Sequence, residues 1–249
     1  MIHTEGIVTG RTAFGNTSQI VTFFTPDAGQ IACLAKGVWR QRNPLFTGPF
    51  ELGRRYEMVI VPRRRSALEL VIDAQELDSY RGVRRSRERL ADTFFVVGVL
   101  RYTASAGTAD KQGYALAVET LRRLDLNEEV VLVFLAAWLR NLGVYPNFRS
   151  CPRCRRSGGA GPWFFSFREG GITCRRHRTR ESVELRPEVL SACRDPGSVP
   201  PGTRRYAAAF RLLSAWLNDL LGPRGRMVEC PFYLRPQGRT VGSPPAGGR

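Results

Sequence analysis

Hydrophobic and polar positions alternate in the first third of the chain, a pattern that is typical of half-buried β-strands. The last such segment places Leu68, Leu70 and Ile72 on one face. Five segments carry strand character, namely residues 6–12, 19–25, 30–36, 55–62 and 67–74. Five short strands in so small a region favour a Greek-key barrel of the OB type, with an SH3-like barrel as the alternative.

From residue 78 the apolar positions change to helical spacing. Ser86 is a suitable N-cap for a first helix, and the predicted buried stripe of this helix is Leu90, Phe94, Val97 and Leu100. Further helices are predicted over residues 112–124, 128–142, 187–193 and 203–221. The helix over 128–142 is apolar on nearly every side, so we expect it to be buried at the centre of the protein.

Two short motifs, C-P-R-C and C-R-R-H, stand nineteen residues apart and supply Cys151, Cys154, Cys174 and His177. Each motif offers two soft ligands to one side of an ion, which is the spacing of tetrahedral zinc sites. Four protein ligands leave no open position, so we predict one structural Zn²⁺ and no catalytic metal. Cys193 is an alternative fourth ligand, and buried cysteines without any metal are the alternative to the whole site.

The net charge of +16, from 38 basic and 22 acidic side chains, favours a polyanionic partner. Nearly all the basic residues are arginine, a skew that a GC-rich genome also produces, so their distribution is more informative than their number. In an OB barrel, cationic loops follow the phosphate backbone while aromatic side chains stack on bases. We therefore predict a surface for single-stranded nucleic acid made of Lys36, Trp39, Arg40, Arg42, Arg63, Arg64 and Arg65. The alternative is that Trp39 packs against the barrel end and that the arginines are only solvated. The arginines around the cysteine motifs fit phosphate binding and a solvated face equally well.

Motifs of common enzyme classes are missing from the sequence. It contains no P-loop, no G-x-G-x-x-G after a strand and no G-x-S-x-G, and its two histidines offer little for acid–base chemistry. The N-terminus has no secretion signal, and no apolar run is long enough to span a membrane. We therefore expect a cytoplasmic, non-enzymatic binding protein.

Several segments together resemble the RecO family of recombination mediators. They are E-G-I-V at 5–8, S-Q-I-V-T-F-F-T-P-D-A-G-Q-I at 18–31, A-K-G-V-W-R-Q-R at 35–42, F-L-A-A-W-L-R-N-L-G-V-Y-P at 134–146 and R-L-L-S-A-W-L-N-D-L-L-G at 211–222. The similarity is collinear over roughly residues 5–234. One departure is the second metal motif, which is Cys174-Arg-Arg-His177 where many members have C-x-x-C.

The resemblance implies an α+β multidomain fold with an N-terminal five-stranded OB-type β-barrel, an α-helical domain and an inserted zinc-ribbon-like module. We place the barrel at 1–80, the helical domain at 81–150 and 179–234, the module at 151–178 and a disordered tail at 235–249. The resemblance also implies binding of single- and double-stranded DNA and annealing of complementary strands. Its implied partners are RecR, single-strand-binding protein and, indirectly, RecA, which the family helps to load onto protein-coated strands. A nucleoid-associated location follows from that role.

Three other functions are compatible with parts of the sequence. A zinc-ribbon regulator that reads duplex sequence would need a recognition helix with several exposed base-reading groups, and none is apparent. An RNA-binding OB protein would carry the same cations and aromatics, so the sequence does not separate RNA from DNA. A nuclease or nucleotidyl enzyme would need paired carboxylates, which the sequence lacks.

Overall fold

A closed five-stranded barrel forms the N-terminal part of the protein. The computed structural model describes residues 1–40, 46, 48–63, 66–157 and 161–223. The strands are β1 (Ile2–Phe14), β2 (Ser18–Thr25), β3 (Gly29–Ala35), β4 (Arg55–Val61) and β5 (Glu69–Asp78). Their order is β1-β2-β3-β5-β4, closed by pairing of β4 with β1, and only the β3–β5 pair is parallel. The prediction of an OB-type barrel is confirmed.

The barrel has a hydrophobic core of its own. Phe23, Phe50 and Tyr56 meet inside it through edge-to-face ring contacts with centroids 4.8–5.4 Å apart. Cys33 is fully buried in the same cluster, and this burial raises the pKa of its thiol to about 12. Cys33 is therefore a small core residue.

Five α-helices lie among the described residues, and the first two of them contact barrel strands β1 and β2. They are α1 (Arg87–Thr103), α2 (Lys111–Asp125), α3 (Val131–Asn141), α4 (Pro187–Arg194) and α5 (Arg204–Leu221), with short 3₁₀ turns at Arg81–Arg85, Arg175–His177 and Pro196–Ser198. Ser86 caps α1 by accepting a hydrogen bond from the Arg89 N–H at 3.2 Å, as predicted. In α3, the residues Leu132, Leu135 and Trp138 are fully buried, so its central position is confirmed.

The buried stripe predicted for α1 is wrong in its first two turns. Leu90 and Phe94 are 37% and 50% exposed, whereas Arg89 and Asp92 are 8% and 0% exposed. The Arg89 guanidinium donates to the Asp92 carboxylate at 2.6 Å and to the Glu128 carbonyl at 3.0 Å. An ion pair with a further backbone acceptor can be buried in place of apolar side chains, and apolar periodicity does not foresee this.

The tip of the β2–β3 hairpin joins the barrel to the helices. The Gln30 side-chain amide nitrogen lies 2.7–3.1 Å from the carbonyl oxygens of Leu100, Arg101 and Ala104, so it supplies a donor at the C-terminal end of α1, where helix carbonyls lack partners. Gly29 has φ +60°, and a Cβ there would lie 2.0 Å from the Ser105 carbonyl oxygen. Only glycine allows so close an approach of the two backbones.

A small three-stranded sheet carries the cysteine motifs. Its strands are β6 (Trp163–Ser166), β7 (Gly171–Cys174) and β8 (Val183–Leu185), in the order β7-β6-β8. None of these three strands is among those predicted from the sequence. The apolar residues of this sheet belong to the same hydrophobic cluster as the helices, whereas the barrel interior forms a separate cluster. Among the described residues, no helix combines the length and the apolar character needed to cross a membrane.

Candidate metal centre and basic surfaces

Four side chains converge at one point beside the three-stranded sheet. The ligand atoms of Cys151, Cys154, Cys174 and His177 all lie within 4.8 Å of one another. The Sγ atoms of Cys154 and Cys174 are 3.7 Å apart, and His177 Nδ1 lies 3.6 Å from Cys151 Sγ and 3.4 Å from Cys174 Sγ. A zinc tetrahedron with Zn–S of about 2.3 Å and Zn–N of about 2.0 Å has S···S edges of about 3.8 Å and S···N edges of about 3.5 Å. This Cys₃His cluster could hold a metal ion, and its dimensions are consistent with zinc.

Two turns, which we call the knuckles, present these ligands. In the first knuckle, residues 151–156, the Arg155 N–H donates to the Cys151 carbonyl at 2.8 Å and the Cys151 N–H donates to the Arg156 carbonyl at 3.0 Å. In the second knuckle, residues 174–177, strand β7 ends at Cys174 and a single 3₁₀ turn brings His177 back toward the sulfur atoms. Each knuckle is made of residues that are adjacent in the sequence, so the spacing of its two ligands can be recognised from the sequence alone.

The Cys151 thiol has the environment of a metal-binding thiolate. Burial alone would raise its pKa, but hydrogen bonds from the backbone of the two knuckles and from the His177 ring lower the pKa to about 6. A thiol with so low a pKa presents the ionised form that metals require.

Cys193 does not join this cluster. It lies in α4, where it is fully buried, and the Tyr145 hydroxyl donates to its carbonyl oxygen. Burial raises the pKa of its thiol to about 12, which disfavours a thiolate ligand. The geometry therefore favours His177 over Cys193 as the fourth ligand.

An aromatic cluster attaches the three-stranded sheet to α5. Phe165 contacts Phe148, Phe167 and Trp216 with ring centroids 5.0–6.0 Å apart. Trp216 in α5 also donates its indole N–H to the Val144 carbonyl at 2.8 Å. Phe165 and Phe167 therefore belong to a small aromatic core beside the candidate metal site.

The predicted cations of the barrel lie in the turn that follows β3. Lys36, Trp39 and Arg40 are exposed there, with 49% exposure for Trp39. The Trp39 N–H donates to the Thr17 carbonyl at 3.2 Å, which holds this turn against the β1–β2 turn. Arg42 lies outside the described residues.

The second predicted group of cations lies in the connection between β4 and β5. Arg63 is exposed, and its backbone N–H donates to the Glu69 carboxylate at 2.9 Å. Glu69 pairs with Cys33 in the parallel β3–β5 ladder, so this connection lies beside the strand that Lys36 follows. Arg64 and Arg65 are outside the described residues.

Sequence reasoning missed one aromatic residue of this surface. Phe14, at the end of β1, is 50% exposed and pairs with Ser18 across the β1–β2 turn. Thr17 of this turn accepts the hydrogen bond from the Trp39 N–H, so the exposed rings of Phe14 and Trp39 lie at the same end of the barrel. The available signal was an apolar residue directly before the turn sequence G-N-T.

Arg54 and Arg55 lie in the same basic segment of the sequence but do not add to this surface. Arg54 pairs with Glu51 and Glu76, and Arg55 pairs with Glu5 and Asp78, at 2.5–3.0 Å. The carboxylates of Glu5, Glu76 and Asp78 come from β1 and β5, so only strand pairing reveals that these two charges are neutralised.

Comparison with known proteins identifies the family. Residues 1–80 match the family described as Recombination protein O N terminal, and residues 84–225 match Recombination protein O C terminal. The chain belongs to the RecO family. The first RecO match covers the barrel, and the second covers all five helices and the metal motifs.

Relatives in the RecO family are similar over most of their length. The DNA repair protein RecO of Rhodopirellula baltica is 28% identical over 245 residues, which cover 87% of this chain and 89% of that protein. That of Rubrobacter xylanophilus is 30% identical over 213 residues, covering 80% and 82%. That of Moorella thermoacetica is 26% identical over 273 residues, covering 98% and 99%.

Proposed function

We propose that this chain is a non-enzymatic recombination mediator in DNA repair, which binds single- and double-stranded DNA and anneals complementary strands. The observation that carries the proposal is the basic and aromatic end of the OB barrel, where Lys36 and Arg40 are exposed beside Phe14 and Trp39. Membership of the RecO family and the printed names of its relatives support the same role.

Strand annealing requires this kind of chemistry and little else. Two polyanions must be held close together without their sequence being read, so cations that contact phosphates suffice and no catalytic group is needed. Exposed rings add affinity because every base has a face on which an aromatic side chain can stack. We expect binding that is independent of sequence and falls steeply with salt.

The DNA surface that we propose has two parts. The first is the turn after β3, with Lys36, Trp39, Arg40 and, outside the described residues, Arg42. The second is the β4–β5 connection, with Arg63 and, again outside the described residues, Arg64 and Arg65. Phe14 joins this surface as an additional stacking group.

We further propose that one structural Zn²⁺ is held by Cys151, Cys154, Cys174 and His177. The distances among these four side chains fit a closed tetrahedral site, with no position for substrate. The partners proposed from the family resemblance are RecR, single-strand-binding protein and, indirectly, RecA. A cytoplasmic, nucleoid-associated location belongs to the same proposal.

Fluorescence anisotropy with a labelled 30-nucleotide thymidine strand tests the barrel surface. Lys36→Ala with Arg40→Ala removes two cations, and the matched control Arg122→Ala with Arg123→Ala removes two that already pair with Glu119 and Glu128. Counterion release predicts a log–log salt slope that is shallower by about 1.4, and roughly 25-fold weaker binding near 0.1 M salt. Equal affinity for the barrel variant and its control would place the DNA surface elsewhere.

An annealing assay separates the proposed function from its competitors. Complementary DNA strands coated with single-strand-binding protein should anneal faster with this protein than without it. A regulator that reads duplex sequence would instead show strong preference for one duplex, and an RNA-binding protein would prefer an RNA strand over the same DNA sequence.

A further inference from the structure

Positive charge is concentrated around the metal centre. Residues 149–186 contain ten arginines and only three glutamates, so this short segment carries seven of the sixteen net charges of the chain. All ten arginines are exposed. The barrel surface therefore accounts for only part of the basic character of the protein.

The knuckles bring the arginines of two distant segments together. Arg155 directly follows Cys154, and Arg175 directly follows Cys174, whose sulfur atoms are 3.7 Å apart. Arg153, Arg156 and Arg176 lie within two residues of these positions. Five arginines are thus carried on two turns whose cysteine and histidine ligand atoms lie within 4.8 Å of one another.

Few of these charges are neutralised within the part of the chain that the structure describes. Arg153 pairs with Glu169 at 2.7 Å, and the guanidinium of Arg178 lies 5.3 Å from the centre of the Phe164 ring. No carboxylate among the described residues pairs with Arg155, Arg156 or the adjacent Arg175 and Arg176. The arginines on α2 and at the start of β4 are, by contrast, paired with carboxylates.

One of these arginines occupies a backbone conformation that is costly for it. Arg155 has φ +58°, in the left-handed region where every residue with a Cβ is strained and glycine is not. A glycine after the second cysteine would close the same turn, because the bond there is donated by the backbone N–H to the Cys151 carbonyl. The stability of the knuckle therefore does not explain why an arginine stands at this position.

We propose that the two knuckles form a second binding surface for nucleic-acid backbone phosphates, separate from the barrel surface. Exposed guanidinium groups on two adjacent turns can donate charge-assisted hydrogen bonds to successive phosphates of one strand. In this proposal the metal holds the two knuckles, and therefore their arginines, at a fixed separation, and it does not contact the phosphates. The identity of the ligand as DNA rests on the proposed function, whereas the existence of the site rests on the charges and geometry of the knuckles.

Binding of a 30-nucleotide thymidine strand and of a 30-base-pair duplex tests this site in the full-length zinc-loaded protein. The double substitution Arg175→Ala with Arg176→Ala should weaken binding of the single strand roughly 25-fold near 0.1 M salt. The slope of log affinity against log salt concentration should be less steep by about 1.4. The control Arg122→Ala with Arg123→Ala lowers the net charge equally but removes cations that already have carboxylate partners. Zinc content, measured for every variant, verifies that the knuckles stay assembled.

Arg155→Gly distinguishes phosphate binding from a structural role. This variant should keep its zinc and melt at the same or a higher temperature, because the strain at φ +58° is removed. Its affinity for the thymidine strand should nevertheless fall about fivefold near 0.1 M salt. An arginine with a structural role would produce the opposite result, a less stable protein with unchanged affinity.

The experiment keeps the two proposals apart. If the Arg175/Arg176 variant retains zinc and binds like its control, the second surface does not exist, and the barrel surface is unaffected by that result. If the Lys36/Arg40 variant binds normally while the Arg175/Arg176 variant does not, the barrel surface is wrong and the knuckle surface stands. If neither variant differs from the control, both proposals are overturned.

Discussion

We call strands β6 to β8 and the two knuckles the metal module. The barrel and the metal module both present basic groups, but different interactions stabilise the backbone that carries them. The barrel strands are seven to thirteen residues long, close on themselves and enclose a separate hydrophobic core. The module strands are three or four residues long, and their apolar side chains belong to the core of the helices. Backbone ladders and a closed core hold the turn after β3, whereas the knuckles are two short turns that meet at the four candidate metal ligands.

This difference has a consequence for stability. A three-stranded sheet with such short strands is marginal without additional packing or a cross-link. We therefore expect the module to depend on the proposed metal and on α5, and the barrel to depend on neither. We expect loss of the metal or of the packing on α5 to destabilise the module more than the barrel.

Loss of the metal should have the largest effect. A structural zinc contributes on the order of 10 kcal/mol to local folding, so Cys151→Ser should release the metal and unfold the knuckles. The barrel should stay folded. Hydrogen exchange measured by mass spectrometry checks this, with lost protection in β6 and β7 and unchanged protection in β2 and β3.

Cys193→Ala is the matched control for that experiment, because Cys193 is equally buried but lies outside the cluster. This variant should retain one zinc per chain by elemental analysis. Zinc loss from the Cys193 variant, or zinc retention by the Cys151 variant, would contradict the ligand set. If metal removal also reduced protection from hydrogen exchange in the barrel, the barrel would not be stable independently of the module.

Trp216→Ala should have an intermediate effect. It removes the α5 ring that packs on Phe165 and Phe167, together with the indole hydrogen bond to the Val144 carbonyl. Truncation of a buried tryptophan costs about 3–5 kcal/mol. The melting temperature should fall, with faster exchange in the module than in the barrel. Uniform loss of protection across both regions would mean that the barrel also depends on α5.

Trp39→Ala should have the smallest effect and should act on binding alone. Loss of one stacking platform costs about 1–3 kcal/mol of strand affinity, while an exposed side chain contributes little to stability. Trp39→Phe should restore most of the affinity in the anisotropy assay, because it keeps a ring. Equal binding by the alanine and phenylalanine variants would show that Trp39 does not stack on a base.

Much of the architecture follows from local sequence patterns. Alternation predicted the barrel strands because each has one face in the barrel core, and the knuckle spacing predicted the candidate metal ligands because each pair lies within one turn. Some strands extend beyond their predicted ends. Strand β5, for example, continues from the predicted end at residue 74 to Asp78, which pairs with Arg55 of β4.

Apolar periodicity failed where tertiary packing placed charge inside the protein. The predicted stripe of α1 exposes Leu90 and Phe94 because Arg89 and Asp92 take the buried positions as an ion pair that is also bonded to the Glu128 carbonyl. The Glu128 residue is distant in sequence, so no pattern within α1 reveals this partner. The sequence around a charged residue in a helix therefore does not show whether its side chain is exposed or buried.

The sequence by itself determined the barrel strands, most of the helices and the four candidate metal ligands, because each of these depends on residues a few positions apart. Only the tertiary structure decided which cations are available to a partner. Arg54 and Arg55 are neutralised by carboxylates from other strands, whereas Arg155 and Arg175 directly follow two cysteines whose sulfur atoms are 3.7 Å apart, and no described carboxylate pairs with either arginine. The electrostatic environment of a side chain depends on distances in space, and folding sets those distances between residues that are far apart in the chain.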